Sequence, residues 1–167
     1  MNTHKVSLEE ILDAREFRSE RIKQLTTEYP NHSHISFKLN IPGPIKNNDD
    51  YHYAFNAGIK EVIDVAKVIY NLDTLKTGPE AFLISNLSPE DLKLAMIEIE
   101  DKHPLGRLFD LDVYGSDRSM LGMAGRKCLI CDNLAHACGR SRTHDLDEII
   151  AKIDMMIKTY REVNNED

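Results

Sequence analysis

Residues 35–41 read Ile-Ser-Phe-Lys-Leu-Asn-Ile, a strict alternation of apolar and polar side chains. Neighbouring side chains in a β-strand point to opposite faces of the sheet, so this stretch predicts a strand with one buried face. The mostly apolar residues 81–85 predict a short buried strand, and residues 105–114 predict another. A small sheet built from such strands has to be covered by helices.

Helices are predicted between these strands, where apolar residues recur every three or four positions. The first helix, at about residues 7–25, begins with a capping-box pattern, and its apolar stripe is interrupted by Arg15 and Arg18. Each arginine either extends past the core or points into a cleft. Residues 119–143, rich in Gly, Cys and Arg, fit neither pattern. The other predicted helices cover about residues 51–72, 89–102 and 145–157.

Strands that alternate with helices, without a long linker, predict one domain over residues 1–167. We expect an α+β fold, an α/β sandwich in which a small sheet of about four strands is covered by helices. In this domain the N-terminal helix at about residues 7–25 accompanies a core at about residues 34–160.

The composition is that of a folded, acidic protein. Hydrophobic residues make up 41% of the 167 residues, and the 21 Lys and Arg against 28 Asp and Glu give a net charge of -7. The negative charge argues against binding to nucleic acid, whose phosphates require a basic surface. No apolar stretch approaches the roughly 18 residues of a membrane span, and the N-terminus lacks the apolar core of a signal peptide. A cytoplasmic protein without membrane partners is therefore expected.

Two carboxylates two residues apart, Asp110 and Asp112, lie in the predicted strand at 105–114. Both project from one face of a strand, while the residues that alternate with them face the core. Adjacent carboxylates repel each other unless a cation lies between them, and such oxygen ligands suit Mg²⁺ in enzymes that transfer phosphoryl or nucleotidyl groups. The alternative is a solvent-facing strand edge that carries two aspartates.

A Pro-Gly-Pro turn follows the first strand. Gly43 and Pro44 lie in this turn, and Lys46 comes shortly after it. Such a turn exposes backbone N–H groups and, with the lysine, forms a candidate phosphate cradle. The alternative is an ordinary turn, because the stretch has no Walker motif.

Residues 125–144 reverse the sign of the charge locally. Four cations stand against Asp132 alone, giving +3 within a protein of -7, and His136 and His144 add to it when protonated. Such a cluster either binds an anionic partner, for which arginine offers bidentate contacts to phosphate, or forms a solvated loop paired with the acidic remainder. The four cations are Arg126, Lys127, Arg140 and Arg142.

The same segment holds all three cysteines, an odd number that does not make a disulfide framework and fits a reducing compartment. Cys128, Cys131 and Cys138 with His136 offer four closely spaced ligands, a candidate tetrahedral Zn²⁺ site. A redox pair and packed, reduced thiols are the alternatives.

Five of these stretches, taken in order, resemble the apo-citrate lyase phosphoribosyl-dephospho-CoA transferases, also called holo-citrate lyase acyl-carrier-protein synthases. The resemblance runs from about residue 7 to about residue 157. Gly139 and Thr143 stand where Ala or Ser and a further Arg are expected, which affects individual phosphate contacts and not the overall role. The five stretches are residues 40–46, 77–81, 103–113, 126–131 and 138–144.

The resemblance implies an enzyme that transfers the phosphoribosyl-dephospho-CoA group of 2'-(5''-triphosphoribosyl)-3'-dephospho-CoA to a serine of the citrate lyase acyl carrier protein, the gamma subunit. Pyrophosphate leaves, and the product is the prosthetic group of citrate lyase, used in citrate fermentation in a bacterial cytoplasm. The related enzyme for malonate decarboxylase uses an Asp-x-Asp pair of nucleotidyltransferase type. By analogy the same role is expected for Asp110 and Asp112, in a nucleotidyltransferase-like fold.

On this interpretation Asp110 and Asp112 hold Mg²⁺ against the donor phosphates, and Arg107 contacts the same group. An aspartate of the pair or His103 accepts the proton of the serine. The residues expected to bind the donor are Gly43, Pro44, Lys46, Arg126, Arg140, Arg142, His144 and Arg15.

Two rival interpretations follow from the same residues. In the first, the chain is a non-catalytic adaptor that binds a nucleotide or the carrier protein, with a structural zinc ion at its cysteines. In the second, it transfers a related nucleotide to another acceptor. Metal content and release of pyrophosphate distinguish the adaptor from the enzyme.

Overall fold

The computed structural model describes residues 4–165, which form five α-helices and a four-stranded sheet. None of the helices in this range is long and apolar enough to cross a membrane. A short 3-10 turn, Gly106–Leu108, precedes the last strand. The elements, in chain order, are α1 (Leu8–Glu28), β1 (Ser33–Leu39), α2 (Asp49–Ala66), β2 (Val68–Leu75), β3 (Gly78–Ser85), α3 (Pro89–Lys102), β4 (Phe109–Val113), α4 (Ala135–Ser141) and α5 (Leu146–Asn164).

The strands lie in the order β2-β3-β1-β4, and each neighbouring pair is antiparallel. Ile35 of β1 lies opposite Leu83 of β3 on one side and Val113 of β4 on the other. The three strands predicted from the sequence are therefore adjacent in the sheet. The expected α+β fold with about four strands is confirmed.

One face of the sheet, the core face, carries the main hydrophobic core and packs against α2, α3 and α5. Phe37 of β1 stacks on Phe55 of α2 with ring centroids 4.6 Å apart, and Phe109 of β4 meets Phe37 edge-on at 5.5 Å. Helix α2 approaches the strands closely at Gly58, where an added Cβ would lie 2.6 Å from the Phe37 ring. Any larger residue at this position would push the helix away from the sheet.

The opposite face, the α1 face, is covered only in part. Leu25 of α1 packs with Phe82 and Ile84 of β3 in a second apolar cluster. The helix begins as predicted, because the Ser7 hydroxyl accepts a hydrogen bond from the N–H of Glu10 in a capping box. On β1 and β4 the same face carries polar side chains, two of which, Ser36 and Asp112, border a cleft.

The structure corrects two predicted boundaries. The helix predicted to reach about residue 72 ends at Ala66, because Lys67 adopts a left-handed conformation, with φ of 74°, that turns the chain into β2. The strand predicted over 105–114 begins only at Phe109. Gly106 packs against the end of α3, where an added Cβ would lie 2.3 Å from the Glu100 carbonyl oxygen, so the chain turns there before it extends.

Residues 114–145, which we call the connecting segment, join β4 to α5. Its regular structure is limited to α4 and a few turns and bridges. Only Ser116 and Cys138 in this segment are buried. A stretch of this length buries too little apolar surface to offset its loss of conformational entropy, so other interactions must hold it in one conformation.

Candidate active site

Asp110 and Asp112 of β4 project together from the α1 face, as the alternation predicts, while the residues between and beside them are buried in the core. The antiparallel register places Lys38 of β1 beside Asp110 and Ser36 beside Asp112. The Lys38 ammonium contacts the Asp110 carboxylate directly. The two carboxylates therefore differ, because Asp110 has a cation as its neighbour in the sheet and Asp112 has a hydroxyl.

A row of alternating charges crosses three strands on this face. Glu80 of β3 and Asp110 of β4 lie on either side of Lys38. Arg18 of α1 donates two hydrogen bonds to Glu80, at 3.1 and 2.5 Å, and Glu80 is only 2% exposed. Arg18 interrupts the apolar stripe of its helix because it neutralises this buried carboxylate. We call Arg18, Glu80, Lys38 and Asp110 the charge ladder.

A cleft of about 790 Å³ lies between α1 and the end of β4. Asp112 lines it together with Ser36, Lys93 and Arg15. Arg15 is exposed, whereas Lys93 is buried and donates a hydrogen bond to the Leu111 carbonyl oxygen at 2.7 Å. The cleft thus presents two carboxylates, Asp112 and Asp117, among several cations, an arrangement suited to an anionic ligand that also binds a metal ion.

Ionisation of Asp112 is costly in this position. Part of its side chain is open to solvent, but desolvation by the walls of the cleft raises the pKa of Asp112, and the charge of Asp110 raises it further. Lys93 and Lys38 oppose the increase. A divalent cation at the two carboxylates would remove their repulsion, so this pair of oxygen ligands fits Mg²⁺.

The turn formed by Gly43 and Pro44 follows β1, and Gly43 has a left-handed φ of 78°. The Lys46 ammonium points back from the turn and contacts the Ile41 carbonyl oxygen. Burial lowers the pKa of Lys46, and the charge of Lys38 lowers it further. Both effects disfavour the charged form of Lys46.

A second cavity of about 510 Å³ lies between the 3-10 turn, the connecting segment and α5. Arg107, Arg142 and His144 line it among mostly apolar side chains. Within residues 4–165, Arg107 has no hydrogen-bond or ion-pair partner, and burial followed by the charge of Arg126 lowers its pKa. The structure therefore places Arg107 in a different cavity from Asp112, whereas the sequence predicts that both contact the same phosphate group.

Two of the arginines expected to bind the donor line neither cavity. Arg126 donates hydrogen bonds to the carbonyl oxygens of Phe109 at 2.6 Å and Gly106 at 2.8 Å, so it fixes the connecting segment to the start of β4. Arg140 is exposed on α4. Their part in donor binding stays a prediction.

The three cysteines converge on a histidine, and it is His144. The ligand atoms of Cys128, Cys131, Cys138 and His144 all lie within 4.8 Å of one another, so this cluster could bind a metal ion. His136, which the sequence suggested as the fourth ligand, is exposed on α4 and lies outside the cluster. That choice of histidine is wrong, because two residues along an α-helix are rotated by about 200° and His136 therefore points away from Cys138.

Comparison with known proteins finds relatives along almost the whole chain. Residues 6–160 match the family described as "Apo-citrate lyase phosphoribosyl-dephospho-CoA transferase". A protein of Streptococcus pyogenes serotype M5, named "Probable apo-citrate lyase phosphoribosyl-dephospho-CoA transferase", is 38% identical over 96% of this chain and 90% of its own length. The chain belongs to this family.

Two further relatives agree with membership in the apo-citrate lyase phosphoribosyl-dephospho-CoA transferase family. A Vibrio cholerae serotype O1 protein with the same printed name as the streptococcal one is 36% identical over 93% of this chain and 93% of its own length. A Citrobacter koseri protein, named "Apo-citrate lyase phosphoribosyl-dephospho-CoA transferase", is 34% identical over 92% of this chain and 90% of its own. The resemblance inferred from the motifs is confirmed, and the chain is a transferase.

The sequence did not single out Ser36, Lys38, Glu80 or Lys93 in this member of the transferase family. Ser36 and Lys38 occupy the polar positions of the alternating strand, so their common face was predictable. Their position beside Asp112 and Asp110 depends on strand order and register, which a single sequence does not reveal.

Proposed function

We propose that this transferase moves the phosphoribosyl-dephospho-CoA group from 2'-(5''-triphosphoribosyl)-3'-dephospho-CoA to a serine of the citrate lyase acyl carrier protein, the gamma subunit, in the cytoplasm. The names of the family and its relatives supply the transferred group and the acceptor enzyme. The observation that carries the proposal is the pair Asp110 and Asp112 on the partly open α1 face, beside a cleft lined by cations.

The reaction replaces one phosphorus–oxygen bond by another. The serine hydroxyl oxygen attacks the phosphorus nearest the ribose, the bond between that phosphorus and the leaving pyrophosphate breaks, and the hydroxyl proton passes to a base. Negative charge increases on the leaving pyrophosphate and on the transferred group. The site must therefore supply positive charge on both sides of the reacting phosphorus.

Asp110 and Asp112 are the residues that would hold Mg²⁺ against the donor phosphates. Mg²⁺, when bound, neutralises charge on the attacking and leaving oxygens. Lys38 holds the Asp110 carboxylate in position, and Arg15 at the opposite wall of the cleft contributes a guanidinium to the phosphates. These contacts orient the donor with its triphosphate over β4.

An aspartate of the pair is the remaining candidate for the base that accepts the serine proton. The other candidate, His103, packs on the core face against the rings of Phe109 and Tyr160, at centroid distances of 5.0 and 5.1 Å. Its Nδ1 accepts a hydrogen bond from the Leu105 N–H. His103 is therefore engaged on the face of the sheet opposite to the carboxylates.

The rest of the donor would extend from the cleft, past the Gly43–Pro44 turn and Lys46, to the second cavity. Along β4 about 10 Å separate Asp112 from the start of the strand, and the second cavity lies beyond that end. Its apolar lining suits the adenine ring, and Arg107 and Arg142 suit the phosphates that flank it.

The decisive experiment is mass spectrometry of the apo carrier protein after incubation with enzyme, donor and Mg²⁺. We expect a mass gain equal to one phosphoribosyl-dephospho-CoA group, together with release of pyrophosphate. Asp110→Asn and Asp112→Asn should each slow the transfer by about 100-fold or more, because each removes a charge that holds the cation. Transfer by both variants at the wild-type rate would exclude the carboxylate pair from the reaction.

A matched control is Asp147→Asn, because Asp147 is an exposed carboxylate on α5 outside the cleft. It should leave the rate unchanged. Circular dichroism of all three variants shows whether each one is folded. A carrier that gains no mass with the wild-type enzyme, when donor and Mg²⁺ are present, would refute the proposed donor or acceptor.

The rival interpretation as a non-catalytic adaptor is not supported, because the family to which the chain belongs is one of transferases. Transfer of a related nucleotide to another acceptor is tested by the same mass measurement. A carrier adduct of a different mass would identify that nucleotide.

A further inference from the structure

We infer that Cys128, Cys131, Cys138 and His144 bind one Zn²⁺ ion, and that this ion fixes the fold of the connecting segment. The inference does not depend on the proposed reaction, because none of the four side chains borders the cleft that contains Asp112. It rests on the geometry of the four ligands and on the small number of buried residues around them.

The distances between the ligand atoms fit a tetrahedral zinc site. For zinc–sulfur bonds of about 2.3 Å, the edge of the tetrahedron is about 3.8 Å. The Cys131 and Cys138 sulfur atoms lie 3.5 Å apart, and Nε2 of His144 lies 3.4 Å from the Cys131 sulfur. A sulfur–sulfur distance of 3.5 Å is far longer than the roughly 2.05 Å of a disulfide bond.

The first two ligands lie on a tight hairpin. The Cys128 N–H donates to the Asn133 carbonyl oxygen at 2.7 Å, and the Ala135 N–H donates to the Arg126 carbonyl oxygen at 2.8 Å. At the tip of the hairpin the Ile130 N–H points at the Cys128 sulfur, 3.4 Å away. Backbone N–H groups directed at a cysteine sulfur stabilise the thiolate form that a zinc ion requires.

The other two ligands come from the helix and turn that follow. Cys138 is the buried residue of α4, and the left-handed Arg142, with φ of 48°, ends this helix and returns the chain so that His144 faces the sulfur atoms. Nδ1 of His144 lies 3.7 Å from the Glu148 carboxylate, which leaves Nε2 for the metal. A carboxylate behind a metal-bound imidazole is a common way to orient the ring.

The surroundings favour a structural ion over a set of packed thiols. Only two residues of the connecting segment are buried, and one of them is a proposed ligand, Cys138. Four protein ligands close the coordination sphere, so the ion has a structural role. Three thiolates with Zn²⁺ carry one net negative charge, which the neighbouring Arg107 and the cations of the segment balance. Such a site supplies the order that burial does not.

The zinc ion would also shape the second cavity. Cys128, Cys138 and His144 line that cavity together with Arg142. The metal therefore holds the wall that carries Arg142, and His144 is a zinc ligand on this inference and not a donor-binding residue.

The experiment measures zinc in the full-length chain, produced without a histidine tag in zinc-supplemented medium and analysed by plasma mass spectrometry. We expect one zinc per chain, released when a mercurial reagent titrates the three thiols. Cobalt in place of zinc should give the visible absorption of a tetrahedral thiolate site. A zinc content below about a tenth of an ion per chain would overturn the inference. So would a zinc-free chain two hydrogen masses lighter than expected, which would indicate a disulfide.

Two histidine variants form a matched pair. His144→Ala should lower zinc affinity at least tenfold in competition with a chelator, whereas His136→Ala should leave it unchanged. His144→Cys should retain zinc, since a fourth thiolate replaces the imidazole, and it remains informative when the alanine variant does not fold. Equal zinc affinity of the His136→Ala and His144→Ala proteins would show that His144 is not a ligand.

Discussion

Residues 33–113 and the connecting segment are ordered by different forces. The first region buries large apolar side chains between the sheet and its helices, and Phe37 at its centre is fully buried. In the connecting segment only Ser116 and Cys138 are buried. The carboxylate pair belongs to the first region, and Arg142 and His144 of the second cavity belong to the connecting segment.

Polar contacts attach the connecting segment to the rest of the protein. Arg118 pairs with Glu100 at 3.0 Å and Asp101 at 2.9 Å, both on α3, and Arg126 binds two backbone carbonyls near the start of β4. Contacts of this kind are specific in geometry, but each contributes less to the free energy of unfolding than a buried aromatic ring does. Asp110 and Asp112 therefore have a rigid apolar support, whereas one wall of the second cavity depends on a few polar attachments.

The largest effect should follow from a change in the first region. Phe37→Ala removes the ring that contacts Phe55 and Phe109, and we expect the free energy of unfolding to fall by about 3–5 kcal/mol. Urea denaturation followed by circular dichroism measures it. A loss below about 1 kcal/mol would mean that the core face does not dominate stability.

An intermediate effect is expected at the contact between the two regions. Arg126→Met removes the donor of two hydrogen bonds, to the carbonyl oxygens of Phe109 and Gly106, and leaves Gly106 with the Phe109 N–H alone; the loss should cost about 1–3 kcal/mol. Hydrogen exchange should accelerate mainly within residues 114–145 and only slightly in β1 and β3. Uniform acceleration across the sheet would show that the two regions unfold as one unit.

A smaller effect should follow from the raised pKa of Asp112. An acid whose pKa is higher in the folded state favours folding while it is protonated, and this contribution is lost as pH rises from the unfolded pKa through the raised folded pKa. At pH 7 without divalent cations, Asp112→Asn should therefore melt slightly above the wild type, and the difference should disappear at pH 3. Added Mg²⁺ should stabilise the wild type more than the variant. A variant that melts lower at pH 7 would contradict this sign.

The smallest effect is expected for an apolar residue of the connecting segment. Leu134 is 40% exposed, so Leu134→Ala should change the free energy of unfolding by no more than about 0.5 kcal/mol. The same denaturation assay measures it beside Phe37→Ala. A loss above 2 kcal/mol would reveal apolar support in the segment and weaken the comparison.

The sequence predicts most of the first region, because burial there follows the period of the secondary structure. The alternation at 35–41 and the outward direction of Asp110 and Asp112 both rest on the two-residue repeat of a strand. The apolar periodicity extends the predicted helix to about residue 72, into the edge strand β2. Lys67 stands at the left-handed turn where glycine or asparagine would have signalled a break, and β2 lacks a fully buried face.

The connecting segment is less predictable, because its contacts do not follow a period. Spacing alone suggested His136 as the partner of the cysteines, yet the left-handed turn at Arg142 brings His144 to them instead. The sequence alone also does not show that the cations are divided between two cavities. Arg107 and Asp112 are near in sequence, but the 3-10 turn after α3 gives Arg107 a different direction from the strand residues that follow.

The charge ladder also has a consequence for folding. A sheet whose strands slip by one residue exposes its apolar side, but a slip of two residues preserves that pattern and is harder to reject. In this sheet a two-residue slip of β1 would move Lys38 away from both Glu80 and Asp110, and it would leave the buried Glu80 with Arg18 alone. The charges near the proposed chemistry therefore also favour the observed register of β1 with β3 and β4 over a register shifted by two residues.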